Sequence, residues 1–347
     1  MTKLHIHGGD VYRYPHAIDF SSNCNPYGTP EGVKRAVAEA AELICHYPDV
    51  QCRKLREALA EEEEVPVSGI ICGNGAADLI FGLALARKPR KALLLAPTFA
   101  EYAQALRSVG CEIAYCHLKE EQGFIPQESL PDRITEDVDM VFFCNPNNPT
   151  GVLTEVDFLR KLADKCAESH ALFVVDECFL DFVREPGRHT MKPWLDAYDN
   201  LFLLKAFTKK YAMPGIRLGY GLCSNGELLA QMRAVMQPWN VSAEAQAAGI
   251  AALKEKEYVR ATMKKIAGER EYLLEKLKET GVLVYGSSAN YIFFKANKGL
   301  WKECLDDGIS IRDCGNYEGL DEGFYRVAVR TRKENDRLLK TLREIME

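Results

Sequence analysis

Six short apolar runs each end in polar or glycine-rich residues, and helical segments lie between them. They are "GIICGNG", "KALLLAP", "CEIAYCHL", "VDMVFFCNP", "ALFVVDECF" and "NLFLLKAF", spread over residues 69–207. Strands buried on both faces read as near-continuous apolar runs. The intervening "ADLIFGLALA", "FAEYAQALRSVG" and "EVDFLRKLADKCAESH" carry helical patterns. This alternation predicts a mainly parallel central sheet covered by helices, an α/β fold. Helices are also predicted over Pro30–Leu43, with proline at the start, and over Gln51–Glu63. After about residue 240 the texture changes. A long charged helix, Lys254–Glu279, precedes "VLVYGSSANYIFFKA" and "YRVAVR", which read as strands of a smaller α+β unit. The expected division is an irregular arm over 1–30, a large unit over 31–240 and a small unit over 241–347.

Charge and cysteine content exclude several function classes. The net charge is -6, which gives no electrostatic case for nucleic acid or an anionic membrane. Twelve cysteines are present, yet none forms a CxxC pair or has zinc-ligand spacing with histidine. No metal site is expected, and the thiols read as small hydrophobes. The N-terminal "MTKLHIHGGD" has no apolar core of signal-peptide length, and no run is long enough to span a bilayer. The expected compartment is the reducing cytoplasm.

In a sheet of this kind, ligands sit at the carboxyl ends of the strands. The residues there are Gly75-Ala76-Ala77 after the first run, Phe99 after the second, Asn148 within "NPNNPTG", Asp176 and Thr208-Lys209. Singly, each has a plainer reading: a turn, a proline-rich loop, a solvated lysine. Together they supply five functions. A glycine-rich turn opening a helix binds phosphate, and an aromatic stacks on a flat ring. An asparagine bonds a phenolic oxygen, a buried aspartate keeps a ring nitrogen protonated, and a lysine forms a Schiff base. Pyridoxal 5'-phosphate requires these five.

"NNPTG", "VVDE" and "TK…PGIRLGY", in this order, resemble the fold-type I pyridoxal-phosphate enzymes of the class I/II aminotransferase family. The resemblance runs from "HGG" at His7 to "RTRKEND" near the end. It implies Lys209 as the Schiff-base lysine and Lys210 as a bystander. Asp176 then pairs with the pyridine nitrogen and Asn148 with the ring oxygen. Gly75, Ala76, Ala77, Thr208 and Arg217 hold the cofactor phosphate, and Phe99 stacks on the ring. Tyr47, in "HYPD", reaches the cofactor of a second subunit, so a homodimer with shared sites is implied.

Two branches of the family compete. Histidinol-phosphate aminotransferases share "YPD" and "NNPTG". The L-threonine-O-3-phosphate decarboxylases of cobalamin synthesis share these and are more similar over "HGGDVYRY", "DFSSNCNPYG", "PTFAEYAQAL", "MQPWNVSAEAQ" and "IRDCGNYEGL". Phe179 stands where most aminotransferases carry tyrosine, again as in the decarboxylases. Ala206 replaces a serine or threonine that contacts the cofactor phosphate in many relatives. The resemblance therefore implies decarboxylation of a small phosphorylated amino acid, L-threonine O-3-phosphate, with a histidinol-phosphate or related amino-acid aminotransferase as the alternative. Arginine suits both of such a substrate's anionic groups. Arg312 and Arg326 are the implied anchors, with His7 and Asn25 completing the phosphate pocket and Asn23 a weaker candidate.

Overall fold

The computed structural model describes residues 7–346; the first six residues of the expected arm lie outside this range. In chain order the chain forms β1 (Ile18–Asp19), α1 (Glu31–Ala40), α2 (Arg53–Glu63), β2 (Ile70–Gly73), α3 (Ala76–Arg87), β3 (Lys91–Ala96), α4 (Ala100–Ser108) and β4 (Glu112–His117). There follow β5 (Met140–Cys144), α5 (Val156–Glu168), β6 (Leu172–Asp176), β7 (Leu201–Ala206), β8 (Gly219–Leu222), α6 (Gly226–Val235), α7 (Ala243–Leu253) and α8 (Lys256–Lys278). The last third adds β9 (Leu283–Val284), β10 (Tyr291–Lys295), α9 (Leu300–Asp306), β11 (Ile309–Ser310), β12 (Arg312–Asp313), β13 (Phe324–Ala328) and α10 (Arg332–Met346).

Seven strands form the central sheet, in the order β2-β8-β7-β6-β5-β3-β4. Its inner strands are apolar throughout because helices cover both faces. Along β5, Val141 and Phe143 enter one core cluster while Met140, Phe142 and Cys144 enter the other. β6 and β7 alternate in the same way, with Phe173, Val175, Leu201 and Leu203 on the first face and Leu172, Val174, Phe202 and Leu204 on the second. α5 buries Val156, Leu159, Leu162, Ala163 and Cys166, a helical stripe that faces the first cluster.

The sheet departs from the expected pattern in one strand. β8 runs antiparallel to both neighbours, β7 and β2, so the sheet is mixed. Its four residues, Gly-Tyr-Gly-Leu, do not read as a strand because glycine disfavours one. Packing demands the glycine: a Cβ on Gly221 would lie 2.1 Å from the Phe202 ring.

A second sheet, β12-β13-β10-β9, is antiparallel and packs with α8 and α10 around Tyr291, Phe294, Tyr325 and Leu338. The N-terminal segment joins this unit: β1 pairs with β11, and Phe20 is buried in the small core. α7 lies beyond the expected boundary at residue 240, yet it packs into the large unit. Its Ala245, Ala248 and Ala252 share a cluster with Val33, Leu55 and Leu59. Among the described residues, no helix is long and apolar enough to cross a membrane.

Candidate active site

The carboxyl ends of β5, β6 and β7 and the starts of α3 and α4 open onto one cavity of about 340 Å³. Lys209, Asp176, Asn148, Phe99, Thr208 and Arg217 all line it. Asp176 ends β6 and is paired in register with Cys144 and Leu204, which places it at the middle of the sheet. It is buried, and two donors fix its carboxylate. Tyr102 donates from its hydroxyl to Oδ2 at 2.6 Å, and the backbone N–H of Cys178 donates to Oδ1 at 2.9 Å. Burial pushes the Asp176 carboxyl above its usual range; these hydrogen bonds and the charge of Lys209 restrain the rise. A carboxylate in this setting favours a cationic partner such as a protonated ring nitrogen.

The paired lysines diverge. Lys209 lines the cavity, with Nζ 5.7 Å from the centre of the Phe179 ring. Lys210 does not line it, and it is not solvated either. Its Nζ lies 2.9 Å from Asp181 Oδ1 and its side chain is mostly buried. The ion pair pins the turn from behind.

At the start of α3, Gly75 has φ +82, and a Cβ there would meet Arg217 Nη2 at 2.5 Å. A side chain at 75 would therefore fill the space that the guanidinium occupies over the helix N-terminus. Ala76 and Ala77 line the cavity beside Arg217. Exposed helix N–H groups and a guanidinium together suit a phosphate. Ala206 also lines the cavity and offers no hydroxyl to this anion site.

The "NPNNPTG" loop spends two of its three asparagines on anchoring itself to neighbouring chain. Asn145 exchanges hydrogen bonds with the backbone of Thr154, and Asn147 bonds Thr98, Thr150 and the Pro97 carbonyl. Asn148 is left facing the cavity, where its side-chain oxygen accepts from Arg326 Nη1. Phe179 packs edge-on against Tyr291 at 5.0 Å and brings no hydroxyl to the site.

Arg312 and Arg326 are 4% and 6% exposed, and both line the cavity. Arg326 Nη2 also donates to the Ser21 carbonyl at 2.8 Å. With its amide oxygen turned toward the guanidinium, Asn23 accepts from Arg326 Nη1 and Nε at 3.2 Å. Arg312 lies over the Tyr317 ring and donates to Asn316 Oδ1 at 2.9 Å. His7 reaches the cavity mouth.

Asn25 does not line the cavity. Its amide nitrogen donates to the Lys210 carbonyl and to Thr262 Oγ1, both at 3.0 Å, and its oxygen accepts from the Tyr27 N–H. It braces the lysine turn; Asn23, two residues earlier, lines the cavity instead. Tyr47 stacks on Trp239 at 4.5 Å, is 78% exposed, and does not line the cavity of its own chain. Sequence reasoning missed Tyr102, Tyr317 and Glu101. Tyr102 and Glu101 follow Phe99 within one helical turn, which is the signal that would have found Tyr102.

This donor set fits pyridoxal phosphate: an amine, a buried carboxylate, a flat aromatic, an amide and a helix N-terminus with arginine open onto one cavity. Comparison with known proteins agrees. The model of the family "Aminotransferase class I and II" matches residues 15–342. The chain is 39% identical to a threonine-phosphate decarboxylase of Salmonella typhimurium, over 95% of this chain and 91% of that protein. It is 34% identical to histidinol-phosphate aminotransferase 2 of Archaeoglobus fulgidus, over 94% and 93%. Its fold superposes on the crystal structure of the histidinol-phosphate aminotransferase from Clostridium acetobutylicum with a TM-score of 0.88, at 31% identity, covering 94% of this chain and 98% of that one. The chain belongs to the class I and II aminotransferase family, with its fold-type I architecture, and is a pyridoxal-phosphate-dependent enzyme.

Proposed function

We propose that the protein decarboxylates L-threonine O-3-phosphate to 1-amino-2-propanol phosphate. One observation carries the reading: two buried arginines, Arg312 and Arg326, face the cavity that holds Lys209, besides the Arg217 site that suits the cofactor's own phosphate. A substrate with both carboxylate and phosphate matches two such anchors, because the planar guanidinium fork bonds either anion bidentately. The 39% identity to a threonine-phosphate decarboxylase supports the same choice.

In this reading Lys209 carries the cofactor and Asp176 holds a proton on its ring nitrogen. Asn148 bonds the ring oxygen, Phe99 covers the ring face, and Ala76, Ala77, Thr208 and Arg217 hold the phosphate. The bound cofactor supplies an electron sink for the bond that breaks at the substrate's Cα. The chain's own residues decide which bond that is, by orientation. Arg326, held by Asn148, Asn23 and Ser21, grips the carboxylate, while Arg312 and His7 grip the phosphate. We further propose a homodimer in which Tyr47 reaches the partner's cofactor.

A second reading is histidinol-phosphate aminotransfer, favoured by the superposition on the Clostridium acetobutylicum enzyme. Product analysis separates the two. Carbon dioxide release from threonine phosphate supports decarboxylation. Glutamate-dependent oxo-product formation from histidinol phosphate, without carbon dioxide from threonine phosphate, moves the assignment to the transferase.

A further inference from the structure

Glu101 has no role in the chemistry described above, yet it lines the same cavity. It sits in the first turn of α4, two residues after Phe99. Its Oε1 lies 3.1 Å from His7 Nδ1; the Glu101 side chain is 13% exposed and that of His7 58%. Its other oxygen, Oε2, is buried and meets no hydrogen-bond donor. Among the described lining residues, Glu101 and Asp176 are the only acids, against Lys209, Arg217, Arg312 and Arg326. A carboxylate beside a phosphate subsite repels the ligand unless it serves a cation there. A buried carboxylate with one oxygen unpaired is also costly in itself.

We propose that Glu101 is a positioning residue that holds the His7 imidazole as a cation at the cavity mouth, and so sets the preference for a phosphorylated substrate. The inference rests on the substrate reading above. Charge balance supports it: a charged His7 offsets Glu101 at the cavity mouth. The hydrogen bond that His7 donates to Glu101 is the largest influence on His7 and raises its pKa; burial opposes this, the Glu101 charge adds to it, and Arg312 opposes it. Among the described residues, the charged groups that act on His7 include Glu101 on α4 and Arg312 on β12. Tyr317, beside Arg312, feels both.

The test is a histidine NMR titration of the holoenzyme, with the His7 signal assigned by its loss in His7→Gln. In Glu101→Gln the His7 pKa is expected to fall, because the carboxylate that holds the imidazolium is lost. Glu101→Asp, which keeps the charge, should recover part of it. In parallel, kcat/KM for threonine phosphate relative to threonine is followed against pH. The wild-type ratio should drop as His7 loses its proton, and in Glu101→Gln the drop should move to lower pH, with the threonine profile unmoved. An unchanged His7 titration in Glu101→Gln overturns the proposal, as does equal loss for both substrates. If wild-type enzyme releases no carbon dioxide from threonine phosphate, the substrate reading falls. The pair is then judged by the NMR titration together with inorganic phosphate: phosphate should raise the His7 pKa in wild type and do so less in Glu101→Gln, and equal responses overturn the proposal.

Discussion

Arg326 Nη1 donates to the side-chain oxygen of Asn148, although 178 residues separate them in the chain. The bond joins β13 of the small sheet to the loop after β5 of the large one. It places the proposed carboxylate anchor against the proposed ring-oxygen partner, so substrate and cofactor are oriented by one contact. Removing either side chain disturbs both. In Asn148→Ala, kcat/KM for threonine phosphate is expected to fall at least tenfold, and the absorbance of the bound cofactor should shift. An unchanged spectrum with reduced activity would confine Asn148 to the arginine.

Lys209→Ala should lose both turnover and the borohydride-reducible cofactor absorbance. Lys210→Ala should keep the absorbance but melt at a lower temperature, because it leaves Asp181 without its ion-pair partner in a part-buried place. Cofactor trapped on residue 210 would reverse the assignment.

The site was legible where local chemistry and strand ends coincide. Asp176 and Lys209 follow apolar runs whose burial on both faces made them readable as strands, so their positions followed. What escaped depends on distant partners. Lys210 resembles a surface lysine until Asp181 is seen beside it. Asn23 and Asn25 lie two apart in an irregular segment, and no periodicity indicates which one faces the cavity. β8 was invisible because Gly221 answers to the Phe202 ring and Gly219 to the backbone of Gly75 and Ala76, rather than to strand propensity. Tyr102 was within reach, since a helix begun at Phe99 carries position 102 onto the same side.

Gly75→Ala should weaken cofactor retention more than it weakens the fold. The added Cβ meets the Arg217 guanidinium at 2.5 Å, and φ +82 strains any L side chain. Strain of this kind costs about 1–3 kcal/mol. Cofactor loss on dialysis, followed by absorbance, should be roughly tenfold or more faster than in wild type. Retention equal to wild type would show that Arg217 moves aside freely.

A buried charge cluster beneath the site predicts acid sensitivity. Glu63 accepts from the Tyr220 hydroxyl and lies 3.2 Å from Lys192 Nζ and 3.3 Å from Lys205 Nζ. Burial alone would push its carboxyl up; Lys205, Tyr220 and Lys192 hold it down at about 2, against 4.5 unperturbed. A depressed folded-state pKa stabilises above the unfolded value, and the benefit is lost as pH falls from about 4.5 toward 2. By linkage the loss is of the order of 3 kcal/mol. Glu177, which burial pushes upward despite Lys205, works in the opposite sense. The Glu63 share is therefore read as the difference from Glu63→Gln. Wild type should lose stability steeply over this interval in denaturant titrations, and Glu63→Gln, less stable at pH 7, should lose less.

The two anion anchors predict different substrate dependence. Losing a buried charge-assisted contact costs about 2–5 kcal/mol. Arg312→Ala should therefore harm threonine phosphate far more than threonine, whereas Arg326→Ala should harm both. Carbon dioxide release gives kcat/KM for each substrate. Equal losses in Arg312→Ala would remove its phosphate role.

The last prediction concerns the face that carries Tyr47. Tyr47 and Trp239 stack at 4.5 Å while 78% and 46% exposed, and Leu43 and Ile44 are exposed in the same stretch of chain as Tyr47. Large apolar side chains left in water together mark an interaction surface. The occupant proposed here is a second copy of the chain, whose cofactor Tyr47 would reach. Sedimentation should give a dimer. Tyr47→Ala should lose activity, because it removes a contact made across the interface. Mixing it with inactive Lys209→Ala should restore part of that activity, since one of the two sites in a mixed dimer then has both an intact lysine and an intact tyrosine. Full activity in a monomer, or no recovery from dimers shown to have exchanged subunits, would leave Tyr47 outside the catalytic site.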